Sequence, residues 1–138
     1  KSVNDTHGHP VGDAVLVEIA ARLCRHFDPR GGVVCRYGGE EFAVILDGLG
    51  RAEAGRYAED FRAAQAGEAI DISGCGVDAQ SLHVTVSIGI AAFEPETAHA
   101  FAKPEQLVQA ADQAVYAAKG SGRNCVRVFN PRPLKIPA

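Results

Sequence analysis

Several features that would place a chain in a particular class of protein are missing from this sequence. It has no apolar run approaching the roughly 18 residues of a membrane-spanning helix, and no signal peptide is visible. Its formal net charge is only −3, which predicts no bulk electrostatic attraction to nucleic acid or to a membrane surface. It has no methionine and opens on Lys1, so we expect it to be a piece of a longer chain.

Closely spaced cysteine pairs are also missing. The four cysteines are Cys24, Cys35, Cys75 and Cys125. No two of them form a CxxC pair, and their spacing matches no zinc module. We therefore expect reduced thiols in a cytoplasmic domain, with Cys24 and Cys35 acting as small buried hydrophobic residues.

The rest of the composition is that of an ordinary globular protein, with 46% apolar and 22% charged residues. A length of 138 residues suits one domain, which we assign to residues 1–130, followed by a tail or linker at 131–138. Hydrophobic periodicity predicts three helices, at about 13–26, 51–66 and 104–120. Strands are predicted at 33–37, 42–46, 83–91 and 125–129, and residues 1–12 are predicted to form a loop. This alternation indicates an α/β domain with helices packed against a sheet.

The turn of the predicted hairpin, Gly38-Gly39-Glu40-Glu41, has two interpretations. Structurally, glycines permit the turn and glutamates keep its tip soluble. Functionally, glycines let a backbone approach a bulky anion, and adjacent carboxylates provide hard oxygen ligands for Mg²⁺. Glutamate is a poor turn former, which favours the functional interpretation.

The segment before the first predicted helix holds Lys1, Asn4 and Asp13. Asp13 could serve only to cap or charge the helix N-terminus. Alternatively, its carboxylate accepts hydrogen bonds from the N1–H and 2-amino group of guanine, and the Asn4 amide complements the rest of that edge. Taken alone, this pair is a weak indication.

Residues Lys119 and Arg123 flank a glycine-rich turn, "KGSGR". A lysine in the last helical turn complements the helix dipole, and Gly120 is a common helix stop. The same two cations are also suited to hold the β- and γ-phosphates of a nucleotide.

In combination, four stretches resemble the GGDEF family, the bacterial diguanylate cyclases that join two GTP molecules into cyclic di-GMP. The stretches are "NDTHGHPVGD", "RYGGEEF", "VTVSIGIA" and "ADQAVYAAKGSGRN". The resemblance extends to about Phe129. It implies an α/β (α+β) fold in which helices flank a central, mostly antiparallel sheet of about five strands, similar to nucleotidyl cyclases and polymerase palm domains.

The resemblance also implies roles for individual residues. Glu40 would bind the metal and Glu41 would share in catalysis. The expected substrate-binding residues are Lys1, Asn4, Asp13, Gly38, Gly39, Lys119 and Arg123. The expected cofactor is Mg²⁺, with Mn²⁺ as the alternative.

The partners implied by the resemblance are GTP, a second copy of the domain in a catalytic homodimer, and an upstream sensory or receiver domain. Neither nucleic acid nor direct membrane contact is expected. We expect a cytoplasmic location, whether or not the parent protein is anchored in a membrane.

Two positions depart from the family pattern. A metal-binding aspartate on the family's first strand lies eight residues before Asn4, a position that precedes Lys1 here. This leaves open whether the piece alone is active. Many members also carry Arg-x-x-Asp for product inhibition, but Pro29 and Gly32 occupy those positions, which predicts no tight inhibitory site for cyclic di-GMP.

Two alternatives to an active diguanylate cyclase remain at this point. The chain could be a non-catalytic module that binds GTP or cyclic di-GMP and regulates a neighbouring domain. It could also be a cyclase with a different product, since purine choice depends on only two residues.

Overall fold

Helices and strands alternate along residues 2–132, the part of the chain that the computed structural model describes. The helices are α1 (Ser2–His7), α2 (His9–Phe27), α3 (Arg51–Gly67) and α4 (Pro104–Gly120). The strands are β1 (Val33–Gly38), β2 (Glu41–Ile45), β3 (Ile70–Asp71), β4 (Ser81–Leu82), β5 (Ile88–Ile90) and β6 (Val126–Val128). The predicted mixed α/β class is confirmed.

The predicted loop over residues 1–12 is wrong, because the described part of this segment is largely helical. Gly8, with φ of 85°, separates α1 from α2, and its backbone N–H donates to the Asn4 carbonyl at 2.9 Å. Pro10 lies in the first turn of α2, where its missing N–H removes no helical hydrogen bond. The turn-forming residues therefore mark a junction between two helices. Lys1 and most of the predicted tail, residues 133–138, lie outside the described part.

Two compact units make up the described residues. The first unit contains residues 2–48 and Ala63–Val84, and the second contains Leu49–Arg62 and residues 85–132. In the first unit, α2 buries one stripe with a four-residue spacing: Val11, Val15, Ile19, Leu23 and Phe27. This stripe is the amphipathic face that the periodicity predicted, extended by one turn toward the N-terminus.

A buried arginine joins separate segments of the first unit. Arg22 is 8% exposed and donates to the Gln65 side chain at 3.2 Å, and to the carbonyls of Glu68 and Ala69 at 2.9 and 2.8 Å. Gln65 in turn donates to the Val84 carbonyl at 2.9 Å. Since buried polar groups must be paired, this network fixes the end of α3 against α2.

Strands β1 and β2 form the predicted antiparallel hairpin, which runs from the Val33–Ile45 pair to the Gly38–Glu41 pair. Cys35 lies on the exposed face of β1, so the prediction that it is buried is wrong. Cys24 is half-buried, and all four cysteines are free thiols.

In the second unit, α4 packs closely against the parallel pair β5 and β6. A Cβ atom added at Gly89 would lie 2.2 Å from the Ala111 carbonyl oxygen and 2.3 Å from the Val115 nitrogen. Only glycine fits there, and its lack of a side chain allows α4 to approach β5 closely.

The strands of the described residues pair as three separate two-stranded ladders: β1 with β2, β3 with β4, and β5 with β6. The expected single sheet of about five strands is therefore not seen among residues 2–132, and one of the three ladders is parallel. The predicted strand at 83–91 is therefore shorter than expected, since only Ile88–Ile90 has a ladder partner. The Val84 carbonyl is bonded to a side chain instead. Within residues 2–132, none of the helices combines the length and apolarity that crossing a bilayer requires.

Candidate active site

The hairpin turn of the first unit carries two adjacent glutamates, Glu40 and Glu41. Gly38 and Glu41 are paired in register, and Gly39-Glu40 forms the two-residue connection. Gly39 has φ of 43°, a conformation that glycine adopts at little cost, whereas Glu40 does not have a positive φ. The left-handed backbone is thus confined to glycine, which is why glutamate is tolerated at the second position. Glu40 and Glu41 are both exposed.

Arg36 supports this turn, a role that was not predicted from the sequence. Its Nε and Nη2 both donate to the Gly39 carbonyl oxygen, at 2.9 and 2.6 Å. A forked guanidinium that binds one oxygen restrains the position of that peptide. A basic residue three positions before the second glycine is the signal that could have indicated this contact.

Asn4 and Asp13, the predicted guanine-binding residues, come from the adjoining helices α1 and α2. Asn4 is half-buried and Asp13 is exposed. A Cβ added at Gly12 would lie only 1.7 Å from Asn4 Oδ1, so the amide occupies the space above this glycine. The Asn4 amide is therefore packed against the residue that precedes Asp13. The sequence pattern does not indicate this requirement for glycine at position 12.

The predicted phosphate-binding residues lie in the second unit. Lys119 is exposed in the last turn of α4, and Arg123 is exposed in the loop that follows. The Arg123 N–H donates to the Ala118 carbonyl at 3.1 Å, which closes the end of the helix. Gly122, Arg123 and Asn124 all have positive φ, at 100°, 64° and 45°.

No group of three or more acidic, histidine or cysteine side chains arranged to hold a metal occurs among residues 2–132. Among these residues, no third acidic, histidine or cysteine side chain joins Glu40 and Glu41 in such a group. Mg²⁺ is commonly bound by one or two carboxylates, with substrate phosphates and water completing its shell. Glu40 fits that partial role.

The sequence model of the family described as "Diguanylate cyclase, GGDEF domain" matches residues 1–125. The chain belongs to this family. It is 43% identical over 126 residues to the response regulator PleD of Caulobacter vibrioides, a match that covers 91% of this chain and 26% of PleD. The chain thus spans about a quarter of the length of this curated relative.

Solved structures show the same fold. The GGDEF domain of DgcB from Caulobacter crescentus, in complex with c-di-GMP, matches this chain with a TM-score of 0.80 and 30% sequence identity. The match covers 94% of this chain and 69% of the DgcB chain. The active GGEEF domain of a diguanylate cyclase from Vibrio cholerae matches this chain with a TM-score of 0.70 and 25% sequence identity. That match covers 96% of this chain and 77% of the Vibrio chain. The palm-like fold implied by the resemblance is confirmed.

Proposed function

We propose that this chain is the catalytic domain of a diguanylate cyclase, which converts two GTP into cyclic di-GMP and two pyrophosphates. The observation that carries the proposal is the turn at Gly38–Glu41, where two exposed carboxylates follow two glycines. A domain described as active in Vibrio cholerae has the same GGEEF form, so glutamate in the third position is compatible with turnover.

In this reaction, the 3′-hydroxyl of one GTP attacks the α-phosphorus of the other, and the bond to pyrophosphate breaks. The same step with the roles exchanged closes the ring. Asn4 and Asp13 would hold the guanine, the glycines would leave room for the nucleotide, and Lys1, Lys119 and Arg123 would contact its phosphates. Glu41 would act beside Glu40 in catalysis.

Diguanylate cyclases of this family are generally metal-dependent. We propose Mg²⁺, with Mn²⁺ as the alternative, held by Glu40 together with the nucleotide phosphates. The metal would offset the charge that develops on the phosphoryl oxygens.

GGDEF domains bind GTP and act within larger signalling proteins. We propose that two copies of this domain meet with one GTP each, because each nucleotide must supply the hydroxyl that attacks the other. An upstream sensory or receiver domain would control this meeting.

The test uses the full-length protein, incubated with GTP or with ATP in the presence of Mg²⁺ or Mn²⁺, with the product identified by mass spectrometry. Cyclic di-GMP formed from GTP supports the proposal. Binding of GTP or cyclic di-GMP without turnover would overturn it in favour of the regulatory module, and a cyclic product formed from ATP would overturn the assignment of guanine.

A further inference from the structure

The loop after α4 contains an unusual run of backbone conformations. Among the described residues, Arg123 and Asn124 are the only non-glycine residues with positive φ, and they are consecutive. Asparagine tolerates this region, but for a residue such as arginine it costs roughly 1 kcal/mol or more. Such a conformation persists only where surrounding contacts hold it.

One of those contacts comes from Arg62 on α3. Its Nη1 donates to Asn124 Oδ1 at 2.7 Å, and more weakly to the Asn124 backbone carbonyl at 3.5 Å. On the other side, the Arg123 N–H is bonded to the Ala118 carbonyl. The peptide unit before Arg123 is therefore bonded through its N–H, and the residue after Arg123 is held through its side chain.

The Arg62 side chain is itself held in place by Glu59, on the same helix. Its Nε and Nη2 donate to the two carboxylate oxygens of Glu59, at 2.9 and 2.6 Å, and its side chain is only 18% exposed. The two-point contact with Glu59 raises the pKa of the Arg62 guanidinium and lowers the pKa of the Glu59 carboxyl. A guanidinium oriented this way loses less conformational freedom when it binds a further acceptor.

We propose that Arg62 is a positioning residue for nucleotide binding. Through Asn124 it fixes the backbone of Arg123, so that the Arg123 guanidinium is ready to meet the terminal phosphates of GTP. The inference rests on the proposed function, in which Arg123 contacts those phosphates. Arg62 itself makes no contact with the nucleotide in this proposal.

The test compares Arg62→Gln, Asn124→Ala, Arg123→Gln and the double variant Arg62→Gln/Arg123→Gln in the full-length protein. Calorimetry measures the affinity of each for a non-hydrolysable GTP analogue and for GMP, which lacks the terminal phosphates. We expect Arg123→Gln to weaken binding of the GTP analogue about tenfold, since it removes a charge-assisted hydrogen bond, while GMP binding changes little.

Arg62→Gln and Asn124→Ala should each weaken binding of the GTP analogue about three- to tenfold, again with little effect on GMP. Residues that act through one group are not additive, so the double variant should bind no more weakly than Arg123→Gln alone. A role confined to stability would lower the melting temperature without this selectivity for the triphosphate.

The matched control is Arg56→Gln. Arg56 lies on the same helix and forms an ion pair of the same i, i+3 spacing with Glu53, at 3.8 Å, but its side chain is 72% exposed. We expect both affinities to be unchanged in this variant.

Wild-type affinity in Asn124→Ala, or losses that multiply in the double variant, would overturn the inference. If Arg123→Gln is still impaired in that case, the proposed function stands. If Arg62→Gln does not fold, Asn124→Ala alone decides, since it leaves Arg62 and Glu59 intact. A wild-type protein that binds neither nucleotide would overturn both.

Discussion

The turn at Gly39-Glu40 and the loop at Arg123-Asn124 both reverse the chain through left-handed backbone, and an arginine side chain bonds to each. In the turn, the left-handed residue is Gly39, and the functional carboxylate belongs to its neighbour Glu40. In the loop, the left-handed residue Arg123 is itself the candidate functional residue.

This difference explains why the two places are supported differently. Gly39 adopts its conformation at little cost, and Arg36 only has to restrain a carbonyl oxygen. Arg123 cannot be replaced by glycine without losing its guanidinium, so the loop depends on contacts from outside it. One of these is anchored on a carboxylate, that of Glu59, which titrates, whereas the carbonyl bonded by Arg36 does not.

The largest loss of activity is expected from a change in the Gly38–Glu41 turn, because its carboxylates are the proposed functional groups. Glu41→Gln should lower cyclic di-GMP formation at saturating GTP at least about a hundredfold, because it keeps the side-chain shape but removes the charge. Product formation is measured by liquid chromatography. The control, Glu96→Gln, changes an exposed glutamate outside the site and should leave turnover unchanged. Normal turnover in Glu41→Gln would show that the turn does not contribute this charge.

A smaller effect is expected at Gly12, where the absence of a side chain leaves room for the Asn4 amide. In Gly12→Ala, the new Cβ would overlap Asn4 Oδ1, so the amide must move. We expect GTP affinity to fall about tenfold, the equivalent of one hydrogen bond. The control is Gly55→Ala in α3, where nothing lies within 4 Å of an added Cβ. That variant should keep its GTP affinity and gain up to about 1 kcal/mol of stability. Equal affinities in the two variants would contradict the role assigned to Gly12.

The two supports should also respond differently to acid. The hydrogen bonds from Arg62 lower the pKa of the Glu59 carboxyl in the folded state, so the unfolded state binds more protons at acidic pH. The resulting stability is present above the ordinary carboxyl pKa of about 4.3 and is lost as pH falls through the lowered value. Urea unfolding from about pH 6 to pH 3 should therefore show a steeper loss of unfolding free energy for wild type than for Glu59→Gln. Arg36→Gln should run parallel to wild type; a parallel profile for Glu59→Gln would refute the prediction.

Cyclic di-GMP is not expected to inhibit the enzyme by binding at the base of the hairpin. A Cβ at Gly32 would lie 2.9 Å from the Phe27 Cβ, so there is no room for the aspartate of the Arg-x-x-Asp pattern. Cyclic di-GMP titrated onto the full-length enzyme should barely slow it. Inhibition at low micromolar product would overturn this prediction.

The helices α3 and α4 and the hairpin were predictable from the sequence because their signals are local. Apolar residues recur every three or four positions in the helices, Pro104 and Gly120 mark the bounds of α4, and two glycines mark the hairpin turn. The start of α2 was missed because Gly8 and Pro10 are equally common in loops. The exposure of Cys35 was missed because strand alternation shows which residues share a face, but not which face is covered.

The candidate site residues were identified from motif resemblance, but their supports were not. Arg36 contacts a carbonyl oxygen within its own turn, which a local spacing could have indicated. Arg62 and Gly12, in contrast, act through contacts with side chains of other segments. Such contacts depend on how segments meet, and Arg62 is separated from Asn124 by 62 positions. A spacing rule that works within one helix or one turn cannot indicate them.

The close packing at Gly89 has a consequence for the whole of α4. The helix contacts the strand at Ala111 and Val115. Lys119 lies about one turn after Val115 and two turns after Ala111. Any larger side chain at position 89 would force the helix and the strand apart. If the helix responded by tilting about 10°, for example, the Lys119 backbone would move by roughly 1–2 Å over that length. A library randomised at position 89 and selected for cyclic di-GMP synthesis should consequently return glycine alone. Position 89 is remote in sequence from Lys119, but it keeps the helix that carries Lys119 in place.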